Sequence, residues 1–476
     1  MAGQSVFQVR HNAYMVESLR AIAAIPELRN RVLFTLGMLA VFRLGSHIPT
    51  PGVNTEALRV FAEQAKDTMF GLYDMFSGGN LANATIFALG VMPYISASII
   101  IQLLTIVWPY LERLSKEGEL GRRKITQYTR YSTIGLSLVQ AAAYAYTLEQ
   151  QSDTLGGLPI VANPGIGCLL TTMLTMTTGS VFVMWLGEQI TERGIGNGMS
   201  LIIFAGIVST LPGTVLLTLD QLKTGQIGLF RLAVIVALMV GVVAAVIFVE
   251  RGHRRVTVQY AKRLVGKRVA GGTSTHIPLK VNTGGVIPVI FASSLLAFPA
   301  TLAGLTAPDS WVRSLTDALG YGQPLYMLLF TVGILFFAYF YTSIVFNPDD
   351  VAENMRKYGG FVPGIRPGKR TAEYMDAILS KITLVGAVYL AAISLLPIIL
   401  FSGIKLDGIP YIGETLQAAL PEFLRDGLGL TFAFGGTSIL IVVGVAMDTV
   451  QQIESQLIMR HYDSFMKKTR IRGRRG

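Results

Sequence analysis

The sequence is short of charge and of cysteine. Of its 476 residues only 14% are Asp, Glu, Lys or Arg, where a soluble domain carries about a quarter. With 51% hydrophobic residues and a mean hydropathy of +0.51, a soluble enzyme and a disordered scaffold are both excluded. A single cysteine, Cys168, rules out an intrachain disulfide and a cysteine zinc site. The histidines His11, His47, His253, His276 and His461 are scattered and form no HExxH pair. No GxxxxGK[ST] loop exists, and Gly194-Ile195-Gly196-Asn197-Gly198 lacks the last glycine of GxGxxG. Neither a metal, a nucleotide nor any other cofactor is expected. The first twenty residues contain no apolar core of the roughly 7–15 residues that a cleaved signal peptide needs, so the first spanning helix is expected to direct insertion.

What the chain does have is long apolar runs separated by basic stretches. A helix crosses the hydrocarbon core with roughly 20 predominantly apolar residues, and ten segments qualify: 32–48, 84–108, 131–148, 166–186, 199–219, 232–249, 284–305, 324–346, 382–404 and 428–447. The predicted fold class is an all-α polytopic membrane protein. The first span is short and carries Arg43 near its end, where the guanidinium can snorkel to the interface. A count of nine spans would put the termini on opposite sides. Basic residues are retained in the cytoplasm. With the N-terminus inside, the inner segments hold 31 of the 40 basic residues, and the outer loops hold only Arg59, Lys66, Lys223, Arg313, Lys405 and Arg425. That favours ten spans with both termini cytoplasmic, and it gathers the +11 net charge on one face. The expected organisation is a cytoplasmic segment 1–31, a five-helix half 32–219, a second half 220–449 with basic loops 250–280 and 347–374, and a basic tail 450–476.

An internal repeat joins the halves. Gly90-Val91-Met92-Pro93-Tyr94-Ile95-Ser96-Ala97-Ser98 matches Gly285-Val286-Ile287-Pro288-Val289-Ile290-Phe291-Ala292-Ser293 at six of nine positions, both reading GVxPxIxAS. An odd number of spans per half inverts one half relative to the other. Gly/Pro-interrupted helices at corresponding places in inverted halves point to a substrate path between them. The alternative, a chance match of small residues common in membrane helices, stays open at this stage. Ion-coupled transporters carry ionisable groups at membrane depth, yet Glu188, Glu250 and Asp448 all fall at cytoplasmic span ends, where solvated or helix-capping carboxylates are expected. A small-solute transporter therefore lacks its carboxylate. An intramembrane protease lacks a Ser/His pair or GxGD-type dyad, and the driving energy is expected from a partner.

Five blocks make the chain resemble the SecY family, the channel subunits of the bacterial general protein translocon, over essentially its whole length. They are MFSGGNLANATIFALGVMPYISASIIIQLL (75–104), EGELGRRKITQYTRY (117–131), MWLGEQITERGIGNGMS (184–200), STHIPLKVNTGGVIPVIFASS (274–294) and FVPGIRPGKRT (361–371). The resemblance implies a non-enzymatic inner-membrane channel, shaped as an hourglass, that passes unfolded polypeptides across and releases hydrophobic segments sideways into lipid. It also implies SecE and SecG subunits, the SecA motor ATPase, the ribosome and its RNA phosphates, signal peptides, and SecDF and YidC as partners. The positions matching the closing ring are Val91, Ile95, Met199, Ile203, Ile290 and Ile441; Val91 and Met199 depart from an all-isoleucine ring. Residues 68–81 are too short to cross a bilayer and too apolar for an exposed loop. They resemble the plug, with Met69, Phe70, Tyr73, Met75 and Phe76 as its apolar side chains; an interfacial hairpin is the other reading. A lateral gate is implied between the second and third spans and the seventh and eighth, with Ser96 facing Phe298 and with Ser98 and Ser293 on the seam. Arg254, Arg255, Arg366, Lys369 and Arg370 match the docking loops for motor and ribosome. The outer stretch 404–427 has no reading.

Overall fold

The computed structural model describes residues 25–64, 69–151, 159–161, 163–225, 228–260, 263–265, 268–270, 274–303, 318–320, 322–403 and 436–468. The outer stretch 404–427, most of the N-terminal segment and the end of the basic tail lie outside them. Helices are α1 (Pro26–Gly45), α2 (Thr55–Gln64), α3 (Met69–Ser77), α4 (Met92–Val107), α5 (Pro109–Lys116), α6 (Glu119–Gln151), α7 (Ile166–Arg193), α8 (Gly198–Lys223) and α9 (Leu229–Glu250). Strands β1 (His253–Tyr260), β2 (Arg263–Val265), β3 (Arg268–Ala270) and β4 (Ser274–Lys280) follow. Then come α10 (Ile287–Ala303), α11 (Pro324–Val345), α12 (Pro348–Lys357), β5 (Gly360–Phe361), α13 (Lys369–Ser402) and α14 (Gly436–Lys468). Each of the ten apolar segments carries a helix. Five of the helices, α7, α8, α9, α11 and α13, are long and apolar enough by length and composition to cross a membrane, and six if α4 and α5 form one broken span.

The outer surface has the polarity of a lipid-facing wall. Along α9 only Ile235, Val242, Val246 and Glu250 are buried, whereas Leu229, Phe230 and Phe248 are exposed. Water would penalise that face; hydrocarbon does not.

The second apolar segment is helical over only part of its length. Helix α4 starts only at Met92, after a turn-rich stretch with Gly78, Gly79 and Gly90 at φ +75°, +81° and +54°, left-handed values that glycine tolerates best. Irregular backbone at membrane depth survives only where its polar groups are satisfied, and here they are. The Asp74 carboxylate accepts from the Ala82 amide at 2.8 Å, and the Ser77 hydroxyl accepts from the amides of Asn80 and Leu81. Tyr144 donates to the Leu81 carbonyl at 2.8 Å, and Ser180 to that of Gly90 at 3.2 Å. At the other end, Trp108 is extended ahead of Pro109, as the proline ring demands of its predecessor, and α5 leaves α4 at 97°.

Helices dominate as expected, but the basic loops are not mere loops. β1 lies between β4 and β5 in a three-stranded sheet, and β2 pairs with β3. The register sets Arg254 opposite Leu279, Arg255 opposite Pro278 and Gln259 opposite Phe361. Pro278 is on the edge strand, where its missing N–H costs least. Val256, Val258 and Leu279 pack with Met355, Val362, Met375 and Leu379 into a small core apart from the main one.

Candidate functional site

The two copies of GVxPxIxAS adopt one conformation. Gly90 and Gly285 have φ of +54° and +57°, and each is followed two residues later by the first residue of a helix, Met92 or Ile287, with Pro93 or Pro288 next. A proline at the start of a helix gives up only an amide with no intrahelical acceptor. The repeat is therefore a structural element and not a chance match.

The positions assigned to the ring lie in one apolar cluster. Val91, Ile95, Ile203, Ile290 and Ile441 are each no more than 5% exposed, and with half-buried Met199 they share the main apolar cluster. Asn197 caps α8 by accepting from the amides of Met199 and Ser200, which fixes where Met199 and, one turn on, Ile203 point. Tyr73 and Phe76 of α3 belong to the same cluster. Of the other residues assigned to the plug, Met69, Phe70 and Met75 sit on α3, but their side chains lie outside the described residues. Tyr73 donates to the Gln140 side-chain carbonyl at 3.3 Å, with both residues buried. Gly78 crosses α8 so closely that a Cβ there would stand 2.5 Å from the Gly206 Cα.

A cavity of about 370 Å³ is lined by four of the six assigned ring positions, Ile95, Met199, Ile203 and Ile290, and by the polar side chains of Ser98, Gln102, Thr126, Glu192 and Asn197. In its wall the Arg130 guanidinium grips Glu188 with two contacts of 2.9 Å, tying α6 to α7. Polar and apolar side chains thus share the wall of one cavity, which water can enter from its polar part.

Helices α4 and α10 touch along a seam of small residues. Ser96, Ser293 and Ser294 are buried, while Ser98 and Phe298 are half-buried. The Ser294 hydroxyl meets the Met92 sulfur at 3.8 Å; Ser293 bonds its own helix at the Ile290 carbonyl, and Ser98 accepts from Gln102. The Met92–Ser294 contact falls four residues before both Ser96 and Phe298.

All five basic residues assigned to docking are exposed. Arg254 and Arg255 stand on β1, and β5 joins the 360–370 turn to that strand. The turn is fixed by the Ile365 amide on the Val362 carbonyl, by Thr371 donating to the Arg366 carbonyl, and by Gly364 and Gly368 at φ +81° and +103°.

Two of the three span-end carboxylates depart from expectation. Glu188 is paired with Arg130. Glu250 is buried and accepts from Asn282 at 2.7 Å. Asp448 is half-exposed, 3.9 Å from Lys280. Gln140 and Asn282 were missed because a lone amide in or beside an apolar run gives no periodic signal.

A model of the SecY family matches residues 85–450. The chain is 47% identical over 456 residues to the protein translocase subunit SecY of Escherichia coli K12, covering 95% of this chain and 97% of that one. To the protein translocase subunit SecY of Aquifex aeolicus it is 43% identical over 455 residues, 95% and 100% of the two chains. Among solved structures, one described as a protein-conducting channel superposes with a TM-score of 0.60 at 17% identity over 93% of this chain and 94% of that one. Sec61 in a canine ribosome–channel complex superposes at 0.57 and 16% over the same shares. Those distant likenesses speak for the fold. The near full-length identity speaks for descent, and on it the chain belongs to the SecY family of protein translocase subunits.

Proposed function

We propose that this chain is the protein-conducting channel of a general secretory translocon, passing unfolded polypeptides across a bacterial inner membrane and releasing apolar segments sideways. One observation supports the reading: a cavity with polar walls that is also lined by four of the six apolar side chains assigned to the ring, beside two copies of one turn–helix unit. A flexible aliphatic collar seals against ions yet yields to a chain of any sequence, which a site built to recognise one solute would not. In this reading the halves 32–219 and 220–449 are the two walls. Helix α3 is the plug, the α4–α10 seam is the lateral gate, and the sheet with Arg254, Arg255, Arg366, Lys369 and Arg370 is the docking platform on the cytoplasmic side, where both termini lie. SecA or a ribosome supplies the drive, SecE and SecG complete the complex, and SecDF and YidC act beside it.

The test is the seal. Ile95→Ser with Ile290→Ser hydrates the constriction, so the resting channel in planar bilayers should conduct ions where the unsubstituted channel is tight, and export of clients with defective signal peptides should rise. Unchanged conductance together with unchanged stringency would remove these residues from the ring.

A further inference from the structure

The chain between the docking hairpin and the gate helix is no slack linker. β4 ends at Lys280 and α10 begins at Ile287, and the six residues between are held on three sides. Val281 donates its amide to the Gly252 carbonyl at 3.0 Å, so the hairpin stays closed where it meets α9. A Cβ on Gly386 of α13 would stand 2.6 Å from the Val281 carbonyl oxygen, so only glycine lets α13 lie against this backbone. At the centre is Asn282, 6% exposed, whose amide donates to the Glu250 carboxylate at 2.7 Å and to the Gly285 carbonyl at 2.9 Å. Gly285 is the left-handed residue that turns the chain into α10. On the outer side Lys280 donates to Gln451 at 2.6 Å and stands 3.9 Å from Asp448, both on α14.

Glu250 is a buried carboxylate at the foot of α9, and burying such a group is costly unless it is hydrogen-bonded. Its partner is the residue that also holds the carbonyl of the gate helix's turn. Moving Asn282 therefore means breaking a buried hydrogen bond and leaving its acceptor without a partner out of water. A displacement of the hairpin is passed to the turn instead of being absorbed.

We propose that Asn282, held by Glu250, is the positioning residue that couples the basic docking hairpin to the gate helix α10, with Lys280 as an outer strut against α14. This rests on the reading of the β1–β4 sheet as docking platform and of the α4–α10 seam as gate. An occupied platform then sets the angle at which α10 leaves Gly285, and so how firmly the Met92–Ser294 contact is made.

The experiment uses the complete translocon in vesicles, in a Cys168→Ser background, with Met92→Cys and Ser294→Cys as reporter. The rate of disulfide formation across the seam is measured with and without the docked motor ATPase, beside the motor's binding affinity. Without further substitution, docking should slow crosslinking. In Asn282→Ala the affinity should stay the same while the change in rate on docking shrinks by about fivefold or more, the lower end of couplings between sites. Glu250→Gln keeps an acceptor and should keep most of the response. Should Asn282→Ala fail to accumulate, Lys280→Met decides, since it alters only a half-exposed strut and should weaken the response in the same direction.

A full docking response in both Asn282→Ala and Lys280→Met would overturn the coupling and leave the docking and gate assignments standing, as would a loss in Glu250→Gln equal to that in Asn282→Ala. If docking leaves crosslinking unchanged even with the reporter cysteines alone, the gate reading falls and the coupling with it.

Discussion

At the scale of single residues, buried polar pairs do what the apolar collar cannot: they give one position a unique partner. Tyr73 and Gln140 are both buried and joined by a 3.3 Å hydrogen bond between α3 and α6. Removing one partner strands the other, at about 1–3 kcal/mol, whereas replacing both with apolar groups is close to neutral. Tyr73→Phe alone and Gln140→Leu alone should each loosen α3 and raise the resting conductance of the reconstituted channel. The double variant should fall back toward the unsubstituted value, and additive leaks would show that the pair does not hold the plug. The assigned ring positions come from the family resemblance; the sequence by itself adds only that Val91 and Ile95, and Met199 and Ile203, are four apart and share a helix face. Gln140, Asn282 and the burial of Glu250 could not be read from it. Their meaning comes from a partner 67 residues away for Gln140 and 32 residues apart for Asn282 and Glu250, and no local pattern announces it.

At the scale of elements, the repeat was legible and the sheet was not. GVxPxIxAS was visible as a repeat, and in the structure both copies use the glycine as a left-handed residue and the proline to start a helix. HRRVTVQY reads as a basic loop, with only Val256 and Val258 alternating inward, and its partners are Ser274–Lys280 and, about a hundred residues on, Gly360–Phe361. Such pairing is decided by tertiary packing. Neighbouring glycines give a sharp test of how α3 is seated. Gly78 and Gly79 share nearly the same φ, +75° and +81°, so alanine strains both backbones alike. Only at Gly78 would the new Cβ meet backbone, 2.5 Å from Gly206, while at Gly79 the nearest atom is a methyl at 3.9 Å. Gly78→Ala should therefore lower the melting temperature and leak ions markedly more than Gly79→Ala; equal effects would mean that strain alone matters. The seam gives a second test. Cysteines at Met92 and Ser294, in a Cys168→Ser background, should crosslink in the resting channel and stop export until a reductant is added. Normal export through the crosslinked channel would place the exit elsewhere.

At the scale of the whole molecule, charge and lipid exposure divide the labour. The basic groups cluster on the sheet and its neighbouring turn, and that clustering was visible in the distribution of Lys and Arg along the chain. What the sequence left hidden was that β5 links the two basic loops through β1, so that the strand bearing Arg254 and Arg255 is paired with the start of the turn bearing Arg366. Arg366→Glu should leave insertion and abundance of the channel unchanged, because the side chain is exposed, while motor-driven export in vesicles falls severely. Binding to the platform should weaken steeply with added salt, as contacts between exposed charges do. Salt-independent docking with normal export would remove the platform from this role.

If the α4–α10 seam is the exit, as proposed, the right-angled break between α4 and α5 limits how far it can travel. Trp108 and Tyr110 are exposed at the break, while Leu111 and Leu114 turn inward, a composition suited to lying along the headgroup layer. A helix with such an outrigger at one end is moored at a fixed depth. It can swing like a door on its post, but sliding along the membrane normal would drag the aromatic rings out of the layer they prefer. Apolar segments of different length then meet a doorway of constant height, and it is the surrounding lipid that adjusts to their length.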